Sequence, residues 1–279
     1  MSIRIVTDSS CDLPESVVIA NNVRVVPLSI RFGDEEFIDR EQLSTSEFWA
    51  LCARYDTLPE TAAPAPGQFE ATYRELAAEG ATGIVVVSLS GGLSATMQSA
   101  ELAARSVADT VPVRVVDSRT VSLGVGLAAL ACARLAQAGG SIDEVEELAR
   151  DRAARTRVWG ALDTLDNLKK GGRIGNAKAL LATALAIKPI IEVVDGQVEQ
   201  GGKQRTRSKA LKFLVEKVRE HEGRIGELAV LQADCSDVEQ FVEMLRPLYA
   251  GEIMIGDIGP VIGTHAGRGT IGVAFDITT

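Results

Sequence analysis

Ile84-Val-Val-Val-Ser-Leu-Ser90-Gly-Gly-Leu-Ser-Ala-Thr96-Met-Gln-Ser-Ala-Glu-Leu-Ala-Ala-Arg-Ser106 runs from a β-branched stretch through a serine- and glycine-rich turn into a helical stretch that opens at Thr96. The run from Ile84 to Leu89 is short and nearly continuous in apolar character, which marks a strand covered on both faces. Ile3 to Val6 and Val113 to Val116 are built alike, ending in Thr7-Asp8-Ser9-Ser10 and Asp117-Ser118-Arg119. Helical patterns separate them. Ser44 and Glu47 form a capping box before Phe48 to Tyr55, and Pro66-Gly67 opens a helix from Gln68 that stops at Gly80. Strands alternating with helices predict an N-terminal parallel-sheet α/β layer.

The pattern changes in the second half. Ser141 and Glu144 cap a helix to about Arg155, followed by a strand over Val158 to Leu162 and the polar turn Lys169-Lys-Gly-Gly-Arg173. The chain is therefore divided into residues 1–155 and 156–279. A helix over Ala177 to Ile187 with a stop at Pro189 comes next, then two strands joined at Asp195-Gly196, a pairing suited to a type I′ turn. Apolar residues at 211, 214, 215 and 218 line one face of a helix from Arg207 to Glu220. A strand over Glu227 to Leu231, a helix over Val238 to Tyr249, and strands over Glu252 to Ile258 and Thr270 to Phe275 around a glycine-rich loop complete a C-terminal mixed-sheet α/β domain of α+β-like character.

A chain of 279 residues, 46% hydrophobic and 24% charged, buries a sizeable core and reads as two domains. Its 29 basic and 38 acidic residues give a net charge of −9, which repels polyanions and argues against nucleic acid and anionic membranes. The 12 aromatics are not interleaved with basic residues as a base-stacking platform requires. Cys11, Cys52, Cys132 and Cys235 lie far apart without a CxxC pair and read as separate thiols in a reducing compartment. The best uncharged stretch, Leu123 to Ala133, is too short to span a bilayer, so no integral membrane segment is expected and the cytoplasm is the expected location.

In a parallel sheet, ligands bind beyond the carboxyl ends of the strands. All three N-terminal strands end there in polar clusters, and Ser90 to Thr96 is the best cradle for a carboxylate or phosphate, because its glycines allow close backbone approach and a helix follows. The competing reading is that these residues only make turns and caps. Walker A, GxGxxG and GxSxG signatures are absent. His265, in Gly263-Thr-His-Ala-Gly-Arg-Gly269, is placed on a tight turn where it can donate to an anion or simply bond the backbone. His221 lies at a charged helix end and reads as solvated. Two histidines with no spaced carboxylate or Cys cluster give no metal site. Lys169 to Lys212 holds ten basic residues against three acidic ones, a local +7 that leaves −16 for the remainder. Its clustering around Arg173 and Arg205 suggests docking onto an acidic partner or a phosphorylated ligand rather than a merely solvated face.

Taken in order along the chain, Ile5-Val-Thr-Asp-Ser-Ser10, Thr61-Ala-Ala-Pro-Ala-Pro-Gly67, Ser90-Gly-Gly-Leu-Ser-Ala-Thr96, Asp117-Ser-Arg-Thr-Val-Ser-Leu-Gly124, Leu168-Lys-Lys-Gly-Gly-Arg-Ile174, Lys188-Pro-Ile-Ile191, Arg205-Thr206 and His265-Ala-Gly267 resemble the DegV family of bacterial fatty-acid-binding proteins. The resemblance implies two α/β domains with a long-chain fatty acid between them, its carboxylate held by Thr61, Ser94 and His265 and its tail in an apolar tunnel. Ser90, Gly92 and Ser9 are further head-group candidates. It also implies an ATP-dependent fatty acid kinase subunit as partner, docking at Arg173 and Arg205 and phosphorylating the bound acid for phospholipid synthesis. The chain itself is then a non-catalytic carrier needing no cofactor. Where the family shows Thr-Ser-Gln-Pro-Ser, this chain has Thr61-Ala62-Ala63-Pro64-Ala65, so side-chain donors near the head group are fewer, and Arg268 stands where a proline is common. Two other readings compete: a small-molecule enzyme using His265 as general acid or base on a phosphorylated or carboxylated metabolite, and a regulatory module whose basic strip is its working surface.

Overall fold

The computed structural model describes residues 2–182 and 187–278. From the N-terminus, β1 (Ile3–Asp8), α1 (Glu15–Ala20), β2 (Val23–Val26), β3 (Ser29–Phe32), β4 (Glu35–Ile38), α2 (Thr45–Cys52), β5 (Glu60–Ala62), α3 (Pro66–Ala78), β6 (Gly83–Ser88), α4 (Thr96–Ser106), β7 (Val113–Asp117), α5 (Leu123–Gln137) and α6 (Ile142–Arg155) follow one another. β2, β1, β6 and β7 make a four-stranded sheet in that order, every pair parallel. Along β6 the side chains alternate: Val85 and Val87 join the core with α5, while Ile84 and Val86 meet Phe69, Tyr73 and Ala100 of α3 and α4. Helices thus cover both faces, as the continuous apolar strands require.

Ser44 and Ser141 accept the expected capping-box hydrogen bonds from the Glu47 and Glu144 amides. Unanticipated were β2 and the small antiparallel sheet β4-β3-β5. These strands have only three or four residues each, so the alternation of Ser29-Ile-Arg-Phe32 is too brief to stand out, and Glu35, Glu36 and Glu60 leave β4 and β5 without one.

The remaining elements are β8 (Thr156–Ala161), α7 (Asp166–Lys170), β9 (Lys188–Val194), β10 (Gln197–Gln204), α8 (Arg207–Arg219), β11 (Ile225–Gln232), α9 (Val238–Leu245), β12 (Ile253–Asp257), α10 (Pro260–Ala266) and β13 (Ile271–Ile277). They build a six-stranded sheet of order β10-β9-β8-β13-β11-β12, antiparallel except between β11 and β12. The hairpin turn has both Asp195 and Gly196 at positive φ, the demand of a type I′ turn. Every residue from Leu123 to Ala133 is buried, because α5 lies between the two sheets, sharing one core with Val85 and Val87 on one side and Val158, Leu231 and Ala274 on the other.

Three expectations change. Gly175–Ala182 is a 3-10 helix rather than the start of an α-helix to Ile187; residues 183–186 of that stretch lie outside the described residues, and Pro189 sits inside β9. α9 stops at Leu245, because Pro247 removes a backbone donor and the chain tightens into a 3-10 turn. The glycine-rich loop around His265 is the helix α10, entered at Pro260 and left at Gly267 with φ of 83°, so its flanking glycines act as caps and His265 occupies the last turn.

Candidate functional site

A cavity of about 180 Å³ opens where β5, the loop after β6, the turn after α7, the β9–β10 hairpin and α10 converge. Of its described lining residues only Thr61, Ser94, Arg173 and His265 are polar; the rest are apolar, among them Leu28, Leu89, Leu93, Ile191, Val193 and Val261. No carboxylate lines it among the described residues. A volume of this chemistry takes an apolar body and holds one polar end.

The polar end is built from opposite ends of the chain. Thr61 reaches it because β5 pairs with β3, Ile30 opposite Thr61. Its Oγ1 lies 3.1 Å from Nε2 of His265, on the last turn of α10. Burial and the nearby Arg173 charge push the His265 imidazole down to about 4, so it is neutral at pH 7. Among the described residues its buried Nδ1 has no hydrogen-bond partner. The reason is steric: a Cβ on Gly171 would stand 2.3 Å from that nitrogen, so a glycine closes over the ring there. Asn167 on α7 holds the same helix by donating to the Thr264 carbonyl at 3.0 Å. Asn167 and Gly171 carried no sequence signal for this role beyond the Lys-Lys-Gly-Gly-Arg turn itself.

Ser94 sits at the start of α4, its Oγ 2.9 Å from Thr96 Oγ1. Arg173, expected as an outer docking residue, lines the cavity while exposed to solvent; its Nε donates to Leu93 O at 3.2 Å and its Nη1 to Gly171 O at 2.8 Å. Arg205 is exposed between β10 and α8 and does not line the cavity. The other three head-group candidates stand elsewhere, each for a structural reason. Ser90 is fully buried, with its Oγ donating to Gly196 O at 2.8 Å and accepting from Gly92 N at 3.1 Å, so it fastens the hairpin tip. Gly92 O accepts from Gln197 Nε2 in the same fastening. Ser9 is buried and accepts from Leu28 N at 3.0 Å. Among the described residues no three His, Cys, Asp or Glu side chains are grouped to hold a metal, and no helix is long and apolar enough to cross a membrane.

A family model described as "Uncharacterised protein, DegV family" matches residues 2–278. The chain belongs to the DegV family. A DegV domain-containing protein of Streptomyces coelicolor is 38% identical over 275 residues, covering 97% of each chain. Among solved structures, this DegV-family chain is similar to a DegV family protein from Thermus thermophilus, described by its fatty acid binding, with a TM-score of 0.91, 34% identity and 99% and 100% of the two chains covered. It is also similar to DegV, a fatty acid binding protein from Bacillus subtilis, with a TM-score of 0.89, 28% identity and all of both chains covered.

Proposed function

We propose that this protein binds a long-chain fatty acid, with the carboxylate at Thr61, Ser94 and His265 and the tail in the apolar cavity behind them. The observation that carries the reading is the Thr61–His265 pair, the polar end of an otherwise apolar lining. In the tautomer with hydrogen on Nε2, the imidazole donates to Thr61 Oγ1 and leaves the hydroxyl hydrogen free for a ligand oxygen. The Thr61 and Ser94 hydroxyls are then the donors, the first oriented by a neutral histidine, and Arg173 at the rim supplies the one positive charge of the described lining. Burying roughly 14 methylenes at about 0.8 kcal/mol each gives a gross gain near 11 kcal/mol before the costs of association, so the tail supplies affinity and the polar end supplies direction. Similarity to the fatty-acid-binding structures from Thermus thermophilus and Bacillus subtilis supports the ligand class.

The chain is a carrier in this reading, not an enzyme. The absence of any carboxylate from the described cavity lining disfavours His265 as half of an acid–base pair. The bound acid is presented in the cytoplasm to an ATP-dependent fatty acid kinase subunit, which phosphorylates it to the acyl phosphate; the exposed Arg173 and Arg205 make the docking face. Residues 1–155 and 156–279 form the two units between which the ligand lies. Denaturing the purified protein and analysing the extract by lipid mass spectrometry tests the ligand: about one fatty acid per chain is expected, and no lipid together with no thermal shift on adding palmitate or oleate contradicts it. Charge reversal at Arg205, which does not line the cavity, should abolish acyl phosphate formation by the kinase while a fatty acid stays bound; unchanged phosphorylation removes the docking face.

A further inference from the structure

Thr7-Asp8-Ser9-Ser10, one of the three polar strand ends, takes no part in the cavity, yet it leads into a group of buried carboxyls: Asp8 and Asp39 are each 1% exposed and Asp12 is 4% exposed. Asp8 has a local task, capping the 3-10 turn of Ser9–Cys11 and accepting from Leu89 N at 2.8 Å. Asp12 does something else. Its backbone is left-handed, with φ of 51°, and its carboxylate reaches two remote segments. Oδ2 accepts from the Ser122 hydroxyl, which precedes α5, and Oδ1 accepts from the Gly259 amide at 3.0 Å.

Gly259 is the N-cap of α10. That helix carries Val261, Ile262, His265 and Ala266 into the cavity, while Gly259 and Pro260 at its other end line, with Asp12, a separate cleft of about 690 Å³. Seven residues of α-helix span about 10 Å, short enough to move as one rigid piece. Among the described residues, three hydrogen bonds tie this piece to distant elements: Asp12 to Gly259 at the start, Asn167 to Thr264 near the end, and Thr61 to His265 at the cavity. The first is the only one of the three that is charged. The fit leaves no slack, since a Cβ on Gly259 would stand 2.8 Å from Asp12 Oδ1.

We propose that Asp12 is the positioning residue for the cavity histidine: its carboxylate fixes the start of α10 and thereby the place at which His265 meets Thr61 and the ligand head group. The affinity part of this proposal rests on the fatty-acid reading above; the part that concerns His265 stands on the protein alone. The surroundings make the tether pH-dependent. Arg40, whose Nη1 donates to Leu13 O at 3.0 Å, favours the ionised form, as do the bonds from Ser122 and Gly259, while Asp39 opposes it. Asp8 is a second buried carboxyl on the same loop, Cys11 remains a neutral thiol, and Glu15, Glu41 and Asp257 line the adjoining cleft. Burial outweighs the rest and pushes the Asp12 carboxyl up to about 7. A protonated carboxyl is a weaker acceptor than a carboxylate, so the tether slackens as pH falls through that value.

Two variants of the full chain test this, Asp12→Asn, which keeps shape and an acceptor oxygen but not the charge, and Gly259→Ala, which keeps the charge but pushes the oxygen away. The first readout is NMR of the ligand-free protein, where only two histidines contribute ring signals. In the wild type the Gly259 amide and the His265 ring should move together with a midpoint near pH 7, and the midpoint should vanish in Asp12→Asn. The second readout is oleate affinity. Asp12→Asn should bind about fivefold more weakly than wild type at pH 8 and equally at pH 6, the size expected when one hydrogen bond loses a charged acceptor. Gly259→Ala should weaken binding at both pH values. Should Asp12→Asn fail to fold, Gly259→Ala carries the test. His265 signals unmoved in the variants, or oleate affinity unchanged at pH 8 despite a lowered melting temperature, would make Asp12 a purely structural residue. If wild-type protein binds no oleate, the fatty-acid reading fails, and the NMR readout still decides the positioning role.

Discussion

Thr61→Val interrogates the head-group site at a single oxygen. Both side chains are β-branched and nearly equal in size, so the short strand β5 and its pairing with Ile30 should persist. What disappears is the hydroxyl 3.1 Å from His265 Nε2. In the free protein the neutral imidazole then loses its one partner among the described residues, where Nδ1 has none, and an unsatisfied buried nitrogen costs about 1 to 3 kcal/mol. In the complex the ligand carboxylate loses a donor, and hydrogen bonds to a charged group contribute about 1.5 to 3 kcal/mol net. That converts to a Kd increased roughly 10- to 150-fold, while tail burial is untouched and binding survives. Displacement of a fluorescent fatty acid by palmitate and by hexadecanol measures it. The acid should lose at least about tenfold and the alcohol, which brings no charge, several-fold less. Equal affinities for wild type and variant, or an equal loss for acid and alcohol, would refute the assignment of Thr61 as a carboxylate ligand.

Ser90→Ala separates scaffold from ligand contact: losing its bond to the buried turn should lower stability by about 1 to 2 kcal/mol in denaturant titrations, with fatty-acid affinity changed by less than about threefold. A loss of affinity as large as that of Thr61→Val would return Ser90 to the head-group site. Gly171→Ala places a methyl group 2.3 Å from His265 Nδ1, and must move the ring or the turn; it should abolish tight palmitate binding in the same displacement assay, and wild-type affinity would show that the ring position does not matter. Asp39 has its carboxyl pushed up to about 6 by burial, and its Oδ1 has no hydrogen-bond partner among the described residues. A raised carboxyl favours the folded state at low pH, so this stability is lost as pH rises from about 4 to about 6. Asp39→Asn should therefore gain on wild type by about 1 kcal/mol between pH 5 and pH 8 in urea unfolding, and a gain in the opposite direction contradicts the sign.

Legibility followed element length and the chemistry of punctuation. Val85, Val86 and Val87, the capping serines at 44 and 141, and the Asp195-Gly196 turn each carry a local signal strong enough to act before tertiary contacts form. β3, β4 and β5 do not: at three or four residues each, they are too short for a pattern to register, and Phe32, Phe37, Phe48 and Tyr55 pack together there in a non-local event. The same division runs through the site. Thr61, expected from the resemblance alone, and Ser94 and His265, expected also from their loops, all line the cavity, whereas Ser90 and Gly92, which share the glycine-rich turn, and Ser9, at another strand end, do not. A serine at a strand end has two outlets, a ligand or a neighbouring backbone group, and only the partner segment decides between them. For Ser90 that partner is Gly196, 106 residues away. The glycines around His265 suggest a loop, but Gly263 lies inside α10, which Gly259 and Gly267 cap.

The central claim concerns where a carboxylate goes. A crystal structure of the protein with palmitate tests it most directly. The account expects one carboxylate oxygen within about 2.5 to 3.0 Å of Thr61 Oγ1, with the chain running between the β9–β10 hairpin and α10. A head group pointing to solvent, with the methyl end at His265, would contradict it.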